Sequence, residues 1–495
     1  MSVSTVPSLI GGRFEEPGSD EIDPIYDPAT GETIAMLPYS TPKEIDRAVR
    51  AAKEAFPAWA NTPVPDRAQV MFRFKAILEE HFEELSQLVT RENGKTLPES
   101  RGEVRRAIEV VELACGAPTL TMGTNLDQIA EGIDEELVRF PVGVVAGITP
   151  FNFPHMVPLW MIPLAIACGN TFVLKPSQRT PLSAVRLAEL LTEVGLPEGV
   201  VNVVHGAKGA VDELLAHPDV SAVSVVGSVA VANYIYATAA AHGKRVQALG
   251  GAKNHLLVMD DADLDKTVTA LLSSAFGNAG QRCLAGSVAV GVGSLGDALV
   301  QELSTQAARL KVGNGMDPDT DMGPIIRDER RKELIGYIEQ GEEVASVAFD
   351  GRGIGPDDGF FLGPTVIDGV TRDMPLWRDE MFGPVLSVMR AADLDEALGI
   401  LNASTYGNAA SIFTTSGHNA REFKRRAEAG MLGVNIGVAA PMAFFPFCGW
   451  KNSFFGDLHA TGVDGVRFYT RPKVVTTRWW LAEKLDHSKP EGRGH

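Results

Sequence analysis

Between Val144 and Leu249, five short and mostly uncharged runs alternate with stretches of helical pattern. The runs are Val144–Ile148, Thr171–Leu174, Val200–Val204, Ala222–Val226 and Arg245–Leu249, and the helical stretches lie near Pro158–Cys168, Leu182–Val194, Ala210–Ala216 and Val229–Ala241. Thr180-Pro181 opens the second helix and Gly195 closes it. Strands buried on both faces read as continuous apolar runs, and parallel neighbours need crossovers of about this length. The alternation therefore predicts an α/β fold with a parallel sheet covered by helices on both sides. Ligands of such sheets sit beyond the carboxyl ends of the strands. That directs attention to the loops Thr149–Pro154, Lys175–Arg179 and Gly227-Ser228.

The flanking regions add to this frame. Thr41 can cap a helix reaching Phe56, with Pro42 at its first position and Glu44 completing a capping box. A second long helix is predicted after Pro65, burying Phe74, Ile77, Leu78, Leu85 and Leu88 and stopping at Gly94. A second α/β region begins near Asn254. It has helix Leu264–Ala275, strand Ser287–Val292, helices Leu295–Leu310 and Asp328–Gln340, strand Gly383–Met389 and helix Leu394–Leu401. The tail Gly465–Trp480, rich in β-branched and aromatic residues, reads as an edge strand in need of a partner. The polar stretch from Asp486 onward reads as frayed. His155–Leu174 carries no Asp, Glu, Lys or Arg, but Pro158, Pro163 and Gly169-Asn170 divide it into a buried helix and a buried strand rather than a membrane span. Met1–Ile10 has neither the basic nor the apolar region of a signal peptide.

Charge and cysteine usage narrow the function. Lys and Arg number 45 against 63 Asp and Glu, a net charge of −18, which disfavours nucleic acid and anionic membrane as partners. The four cysteines, Cys115, Cys168, Cys283 and Cys448, match neither a disulfide framework nor a zinc spacing, so reduced thiols, a cytoplasmic location and no metal site are expected.

Cys283 stands apart from the other three, which read as small buried hydrophobes. It lies in Phe276-Gly-Asn-Ala-Gly-Gln-Arg-Cys-Leu-Ala-Gly-Ser287, where glycines allow close backbone approach to a substrate and Arg282 favours thiolate. Asn152, in Ile148-Thr-Pro-Phe-Asn-Phe-Pro154, ends a strand, where its amide can donate to an oxyanion; the plainer reading is a turn residue. Lys175 follows an apolar strand and can reach a ribose or phosphate, or can be a solvated lysine. Ser228 opens a helix whose N-terminus can accept a pyrophosphate, or is a simple cap. Glu380 lies in Trp377-Arg-Asp-Glu-Met-Phe-Gly-Pro384, where a solvated carboxylate is the alternative. The G-x-G-x-x-G dinucleotide fingerprint is missing.

Taken in order, Pro-Phe-Asn-Phe-Pro, Leu-Lys-Pro-Ser, Val-Gly-Ser, Gly-Gln-Arg-Cys and Glu-Met-Phe-Gly-Pro resemble the aldehyde dehydrogenase superfamily from about Leu9 to Arg478. The resemblance implies a Rossmann-like cofactor domain (1–124 and 143–253), an α/β catalytic domain (254–442) and a β-strand oligomerisation arm (125–142 and 460–482) building a homo-oligomer, a dimer of dimers. It implies Cys283 as nucleophile and Asn152, with the Cys283 backbone N–H, as oxyanion donor. Lys175 would bind adenosine ribose, Ser228 pyrophosphate and Glu380 nicotinamide ribose, with Thr149, Phe151, Gln178, Arg179 and Gly250 completing the NAD cleft.

Hydrolytic members carry a water-activating glutamate in Glu-Leu-Gly-Gly. Here Ala248 takes its place in Val246-Gln-Ala-Leu-Gly-Gly-Ala-Lys-Asn-His255, and no carboxylate lies between Val229 and Met259. Without a base, water attack on a thioester is slow, whereas coenzyme A brings its own good nucleophile. Gly-Ala-Lys-Asn-His, Gly437-Val-Ala-Ala-Pro-Met-Ala-Phe-Phe-Pro-Phe447 and Gly449-Trp-Lys-Asn-Ser-Phe-Phe-Gly456 resemble the CoA-acylating methylmalonate/malonate-semialdehyde branch. That resemblance implies a carboxylated aldehyde held by Arg106 and Arg282, whose planar forks suit a carboxylate. The alternative for Arg106 is a helix-surface ion pair with Glu103 or Glu109. A hydrolytic enzyme, or one for another acidic aldehyde such as a sulfonated one, is the rival reading; a non-catalytic scaffold is a further one. Two departures from the family pattern stand out. Gln178 replaces a glutamate that would repel a 2′-phosphate, which opens the site to NADP, and Gln281 replaces a carboxylate beside the nucleophile, which is expected to lower the thiol pKa.

Overall fold

The computed structural model describes residues 4–480. The five anticipated runs form the parallel heart of an eight-stranded sheet, in the order Arg245–Leu249, Val220–Val226, Val144–Ile148, Thr171–Lys175, Val201–Val203. Antiparallel strands close its ends, Phe454–Gly456 on one side and Ser8–Ile10 with Arg13–Glu15 on the other. The chain leaves Val144–Ile148 in one direction, then returns to its other side with Val220–Val226. Their carboxyl ends, Thr149–Asn152 and Gly227-Ser228, thus flank the point where strand order reverses, the place where such sheets bind ligands.

A second sheet of seven strands runs Ser346–Phe349, Thr365–Asp368, Val385–Ala391, Gly286–Val292, Asn254–Val258, Ala409–Phe413, Met431–Val434. All pairs but the first are parallel. Each sheet carries its own buried apolar cluster. The strand at Asn254–Val258 was not anticipated, nor were Ala409–Phe413 and Met431–Val434. Asn, His, Ala and Ser interrupt their apolar pattern, and the buried Asn254 and His255 are hydrogen-bonded, His255 Nδ1 with Lys253 O and Nε2 accepting from Trp377 Nε1. Asn254 Oδ1, for example, accepts from Ala409 N at 3.0 Å.

The Thr41 capping box forms as expected, with Glu44 Oε2 accepting from Thr41 N at 2.7 Å, and the helix runs Pro42–Asn61. The single helix expected after Pro65 is two, Val64–Glu80 and Phe82–Asn93, broken at His81; Gly94 ends the second at φ +91°. The apolar stretch from His155 is a buried helix, Met156–Ala167, and a buried strand, Thr171–Lys175. Among the described residues no helix is long and apolar enough to cross a membrane.

The tail is not one strand. Gly462–Phe468 is helical, and only Thr470–Arg478 is a strand. Its partner lies within the chain: it pairs antiparallel with Ile133–Pro141, which also pairs with Thr124–Ala130. This three-stranded arm exposes Leu126, Phe140 and Val474. The stretch from Asp486 lies outside the described residues.

Candidate active site

Cys283 sits in the turn between the Leu264–Phe276 helix and the Gly286–Val292 strand. The turn passes through a short 3₁₀ segment, Gly277–Gly280, where Asn278 and Ala279 hold φ at +50° and Gly280 at +71°. Such values are costly for residues with a Cβ, and they concentrate where surrounding structure enforces them. A Cβ on Gly280 would lie 2.1 Å from the carbonyl oxygen of Gly383. The glycine admits a neighbouring main chain, not a substrate as the sequence suggested.

Side-chain amides hold the segment around Cys283. Asn254 Nδ2 and Asn408 Nδ2 donate to Cys283 O at 2.9 and 2.8 Å, and Asn152 Nδ2 donates to Gln281 O at 3.0 Å. Gln281 is fully buried. Its Nε2 donates to Asn278 O and Pro324 O, and its Oε1 accepts from Ile326 N. A carboxylate could make only the last of these bonds. The amide therefore locks the turn, a structural role beside the expected effect of Gln281 on the thiol.

Glu99 joins the turn to the other half of the molecule. One oxygen completes the capping box of the Leu97–Cys115 helix, accepting from Thr96 N and Oγ1 at 3.0 Å each. The other accepts from Asn278 N at 2.7 Å and pairs with Arg282. Arg282 favours the thiolate as expected, but other influences outweigh it. Burial pushes the Cys283 thiol up to about 12, and the charge of Glu380 adds to the rise. The backbone N–H groups of Cys283 and Leu284 oppose it, and Arg282, tied to Glu99, opposes it least.

Two cavities meet at Cys283. The first, of about 300 Å³, is lined on one wall by Glu99, Glu103, Arg106 and Val110. Spacings of four, three and four place these residues on one helix face. Phe153, Trp160 and Phe447 make much of the apolar remainder. Arg282 also lines it. Arg106 makes the ion pair offered as its alternative, Nη1 to Glu109 Oε2 at 2.9 Å, but inside this cavity; Nη2 donates to Ala440 O and Pro441 O at 3.1 and 3.2 Å. Glu103 is engaged elsewhere. It pairs with Lys95 at 2.6 Å, both side chains being almost fully buried, and accepts from His155 N and Met156 N at 2.8 and 3.1 Å. Lys95 Nζ donates to Asn152 O at 2.6 Å and lies 4.2 Å from the centre of the Phe153 ring. Burial holds the Lys95 pKa below the usual lysine value.

The second cavity, of about 340 Å³, brings together Phe151, Asn152, Arg179, Ser228, Gly250 and Glu380 with Cys283. Ser228 caps the Val229–Ala241 helix, its Oγ accepting from Val231 N at 3.4 Å, and lines the cavity as well. Glu380 Oε1 accepts from Ala252 N at 2.8 Å, and burial raises its pKa to about 7. Thr149, Lys175 and Gln178 lie outside this lining. Thr149 N donates to Lys175 O at 3.2 Å, and the Thr149 hydroxyl is buried without a partner. Lys175 Nζ donates to Gly206 O at 3.1 Å, and burial lowers its pKa to about 8.

Sequence reasoning missed several contributors. Lys95, just ahead of the Leu97–Cys115 helix, and Glu99 in its first turn carried no signal in the sequence, and Glu103 was read only as a surface partner for Arg106. Phe382 lies in the motif that drew attention to Glu380; it holds φ +48° and meets Phe151 edge to face at 5.8 Å. Arg330 sits in a helix read only as charged, yet it lines the second cavity and donates to Met381 O. Lys253, buried, donates to Asp379 O at 2.8 Å, and burial lowers its pKa to about 7.

The family model described as "Aldehyde dehydrogenase family" matches residues 14–475. A malonate-semialdehyde dehydrogenase of Geobacillus kaustophilus (strain HTA426) is 57% identical over 480 residues, 96% of this chain and 99% of that protein. The crystal structure of a methylmalonate-semialdehyde dehydrogenase from Oceanimonas doudoroffii superposes with TM-score 0.95 at 49% identity, covering 97% of this chain and 99% of that one. A Sinorhizobium meliloti 1021 structure complexed with NAD gives TM-score 0.95 at 43% identity over the same shares.

Proposed function

Because the chain belongs to the aldehyde dehydrogenase family, we propose that it oxidises malonate semialdehyde and its methyl homologue with NAD, and passes the acyl group to coenzyme A as acetyl-CoA or propionyl-CoA. The observation that carries this reading is the junction at Cys283 of an arginine-bearing, otherwise largely apolar cavity with a cleft that opens on a helix N-terminus.

The residues of the cleft fit NAD. The N-terminus of the Val229–Ala241 helix, where Ser228 lines the cleft, suits a pyrophosphate, and the Thr149 hydroxyl, buried without a partner, stands next in the chain to Pro150 and Phe151 of the lining. Phe151, Arg179 and Gly250 would line the bound cofactor, Lys175 and Gln178 would face its adenosine ribose, and Glu380 its nicotinamide ribose. Gln178 brings no carboxylate to that end, so NADP remains a candidate as well. The chemistry bound NAD supplies is acceptance of the hydride that leaves the tetrahedral carbon.

The Cys283 S–H proton is lost to water in the cavity, the thiolate sulfur bonds to the aldehyde carbon, and the carbonyl pair moves onto oxygen. Asn152 Nδ2 has a second N–H beyond the one given to Gln281 O, and with the Cys283 backbone N–H it holds that oxyanion. Loss of hydride leaves a thioacyl-enzyme on Cys283. In a β-carboxy thioester the C–C bond to the carboxylate can break, its electron pair entering the thioester carbonyl. CO₂ departs, and a proton then adds to the carbon. The same donors hold the oxygen in this step. Arg106 and Arg282 orient the substrate carboxylate at the outset.

Transfer to a thiol rather than to water accords with the carboxylates present. Ala248 is buried on the strand where a water-activating glutamate would stand. In the substrate cavity Glu99, Glu103 and Glu109 are each paired with a cation. The exposed apolar face of the three-stranded arm supports homo-oligomer assembly as a dimer of dimers. The four unpaired cysteines accord with a cytoplasmic enzyme. The division into cofactor domain (1–124 and 143–253), catalytic domain (254–442) and arm (125–142 and 460–482) belongs to the same reading. NADH formation from malonate semialdehyde, measured with the parent and with Cys283→Ala, tests the assignment: the variant loses it completely, and retained turnover would overturn the role of Cys283.

A further inference from the structure

The two arginines of the substrate cavity are not free cations; each already holds a glutamate. The two glutamates differ in how they are held. Glu99 is bound on both oxygens, by Thr96 N, Thr96 Oγ1, Asn278 N and Arg282. Its departure would undo a helix cap and the nucleophile's turn together. Glu109 has one hydrogen-bonding partner among the described residues, Arg106 Nη1 at 2.9 Å, and its side chain is 21% exposed. Arg106 is anchored independently through Nη2 to Ala440 O and Pro441 O. Its guanidinium therefore keeps its place when Glu109 swings away.

We infer that Glu109 is a built-in competitor, a carboxylate that occupies the substrate's place on Arg106 and is displaced when the substrate carboxylate arrives; this rests on the semialdehyde reading above. The physical reason lies in the cavity. Arg106 shares its cavity with Phe153, Trp160 and Phe447 and its side chain is only 33% exposed, and a carboxylate three residues along the same helix supplies the partly desolvated guanidinium with an anion between turnovers. The cost falls on affinity, because an incoming carboxylate gains only the difference between its own pairing and that of Glu109. Glu109 thereby sets how strongly the enzyme prefers carboxylated over neutral aldehydes. Partly exposed pairs of this kind lead to an expected effect of about two- to five-fold.

The test uses 3-hydroxypropanoate, which carries the carboxylate but no aldehyde. Its affinity for the full-length enzyme is measured by calorimetry for the parent, Glu109→Gln and Glu109→Ala. Both variants bind it about two- to five-fold more tightly, and the ratio of kcat/KM for malonate semialdehyde over propanal rises by the same factor, through KM rather than kcat. Unchanged or weaker binding in either variant that melts cooperatively overturns the inference. A wild-type enzyme that makes no NADH from malonate semialdehyde, while the variants still bind 3-hydroxypropanoate more tightly, overturns the proposed substrate and leaves the competitor role of Glu109 standing.

Discussion

Replacing Lys95 with methionine probes the support beneath the active site. The Lys95–Glu103 pair is 2.6 Å long, with side-chain exposures of 1% and 0%. Methionine is of similar length and apolar, so it fills the space but leaves Glu103 as a buried carboxylate without its cation. Breaking a buried pair from one side costs about 3–5 kcal/mol. Two N–H donors from His155 and Met156 remain on Glu103, which places the expected cost near the low end, about 3 kcal/mol. Asn152 O also loses its 2.6 Å donor, and with it part of the restraint on the Asn152 loop. Turnover should fall about tenfold, less than the loss of an oxyanion donor itself. The double variant Lys95→Met/Glu103→Gln removes the stranded charge, while glutamine Oε1 can still accept both N–H groups. It should recover at least about 1 kcal/mol relative to the single variant, because the loss is mainly an uncompensated charge. Urea unfolding at fixed protein concentration reads the stabilities, and steady-state NADH formation reads the turnover. A single-variant cost below about 1 kcal/mol, or a double variant less stable than the single one, would refute the reasoning.

Three further outcomes are expected. Arg106→Leu should raise KM for malonate semialdehyde far more than for propanal in steady-state assays; equal effects would remove Arg106 from substrate binding. Gln281→Glu deprives Pro324 O of its donor and Asn278 O of one of its two, and buries a charge, so thermal unfolding should show a loss of about 2–4 kcal/mol, whereas a neutral result would mean that the amide does not lock the turn. The reactive form of Cys283 is the thiolate, and burial pushes its pKa from 9.0 up to about 12. In cofactor-free enzyme its alkylation by iodoacetamide, monitored by mass spectrometry of the Cys283 peptide, should therefore climb about tenfold per pH unit up to about pH 10. A plateau near pH 9 would show an unperturbed thiol.

The parallel sheet was legible because strands buried on both faces announce themselves as apolar runs; Val144–Ile148 and Arg245–Leu249 fall at the expected residues. The break at His81 and the helix at Gly462–Phe468 were not legible, since local pattern there fits more than one outcome and tertiary packing decides it. The site divides in the same way. Cys283, Asn152, Ser228 and Glu380 were legible as candidates by residue type and by their place in loops at strand or helix ends, whereas Arg106, in the middle of the Leu97–Cys115 helix, was legible only through the family resemblance. Their electrostatics were not. Arg282 lies next to Cys283 in sequence, but the carboxylate that engages it is 183 residues away. Lys95 and Glu103 became recognisable as a supporting pair only once the Asn152 loop was seen lying across them.

The central claim is that an acyl group formed on Cys283 leaves to coenzyme A and not to water. The most direct measurement is the product balance of malonate semialdehyde oxidation, with acetyl-CoA, acetate, CO₂ and NADH quantified in reactions with and without coenzyme A. With coenzyme A present, one acetyl-CoA and one CO₂ should appear per NADH. Without it, NADH should stop at one equivalent per active site, with an acetyl group retained on Cys283. Continued turnover to acetate at an undiminished rate without coenzyme A would contradict the account.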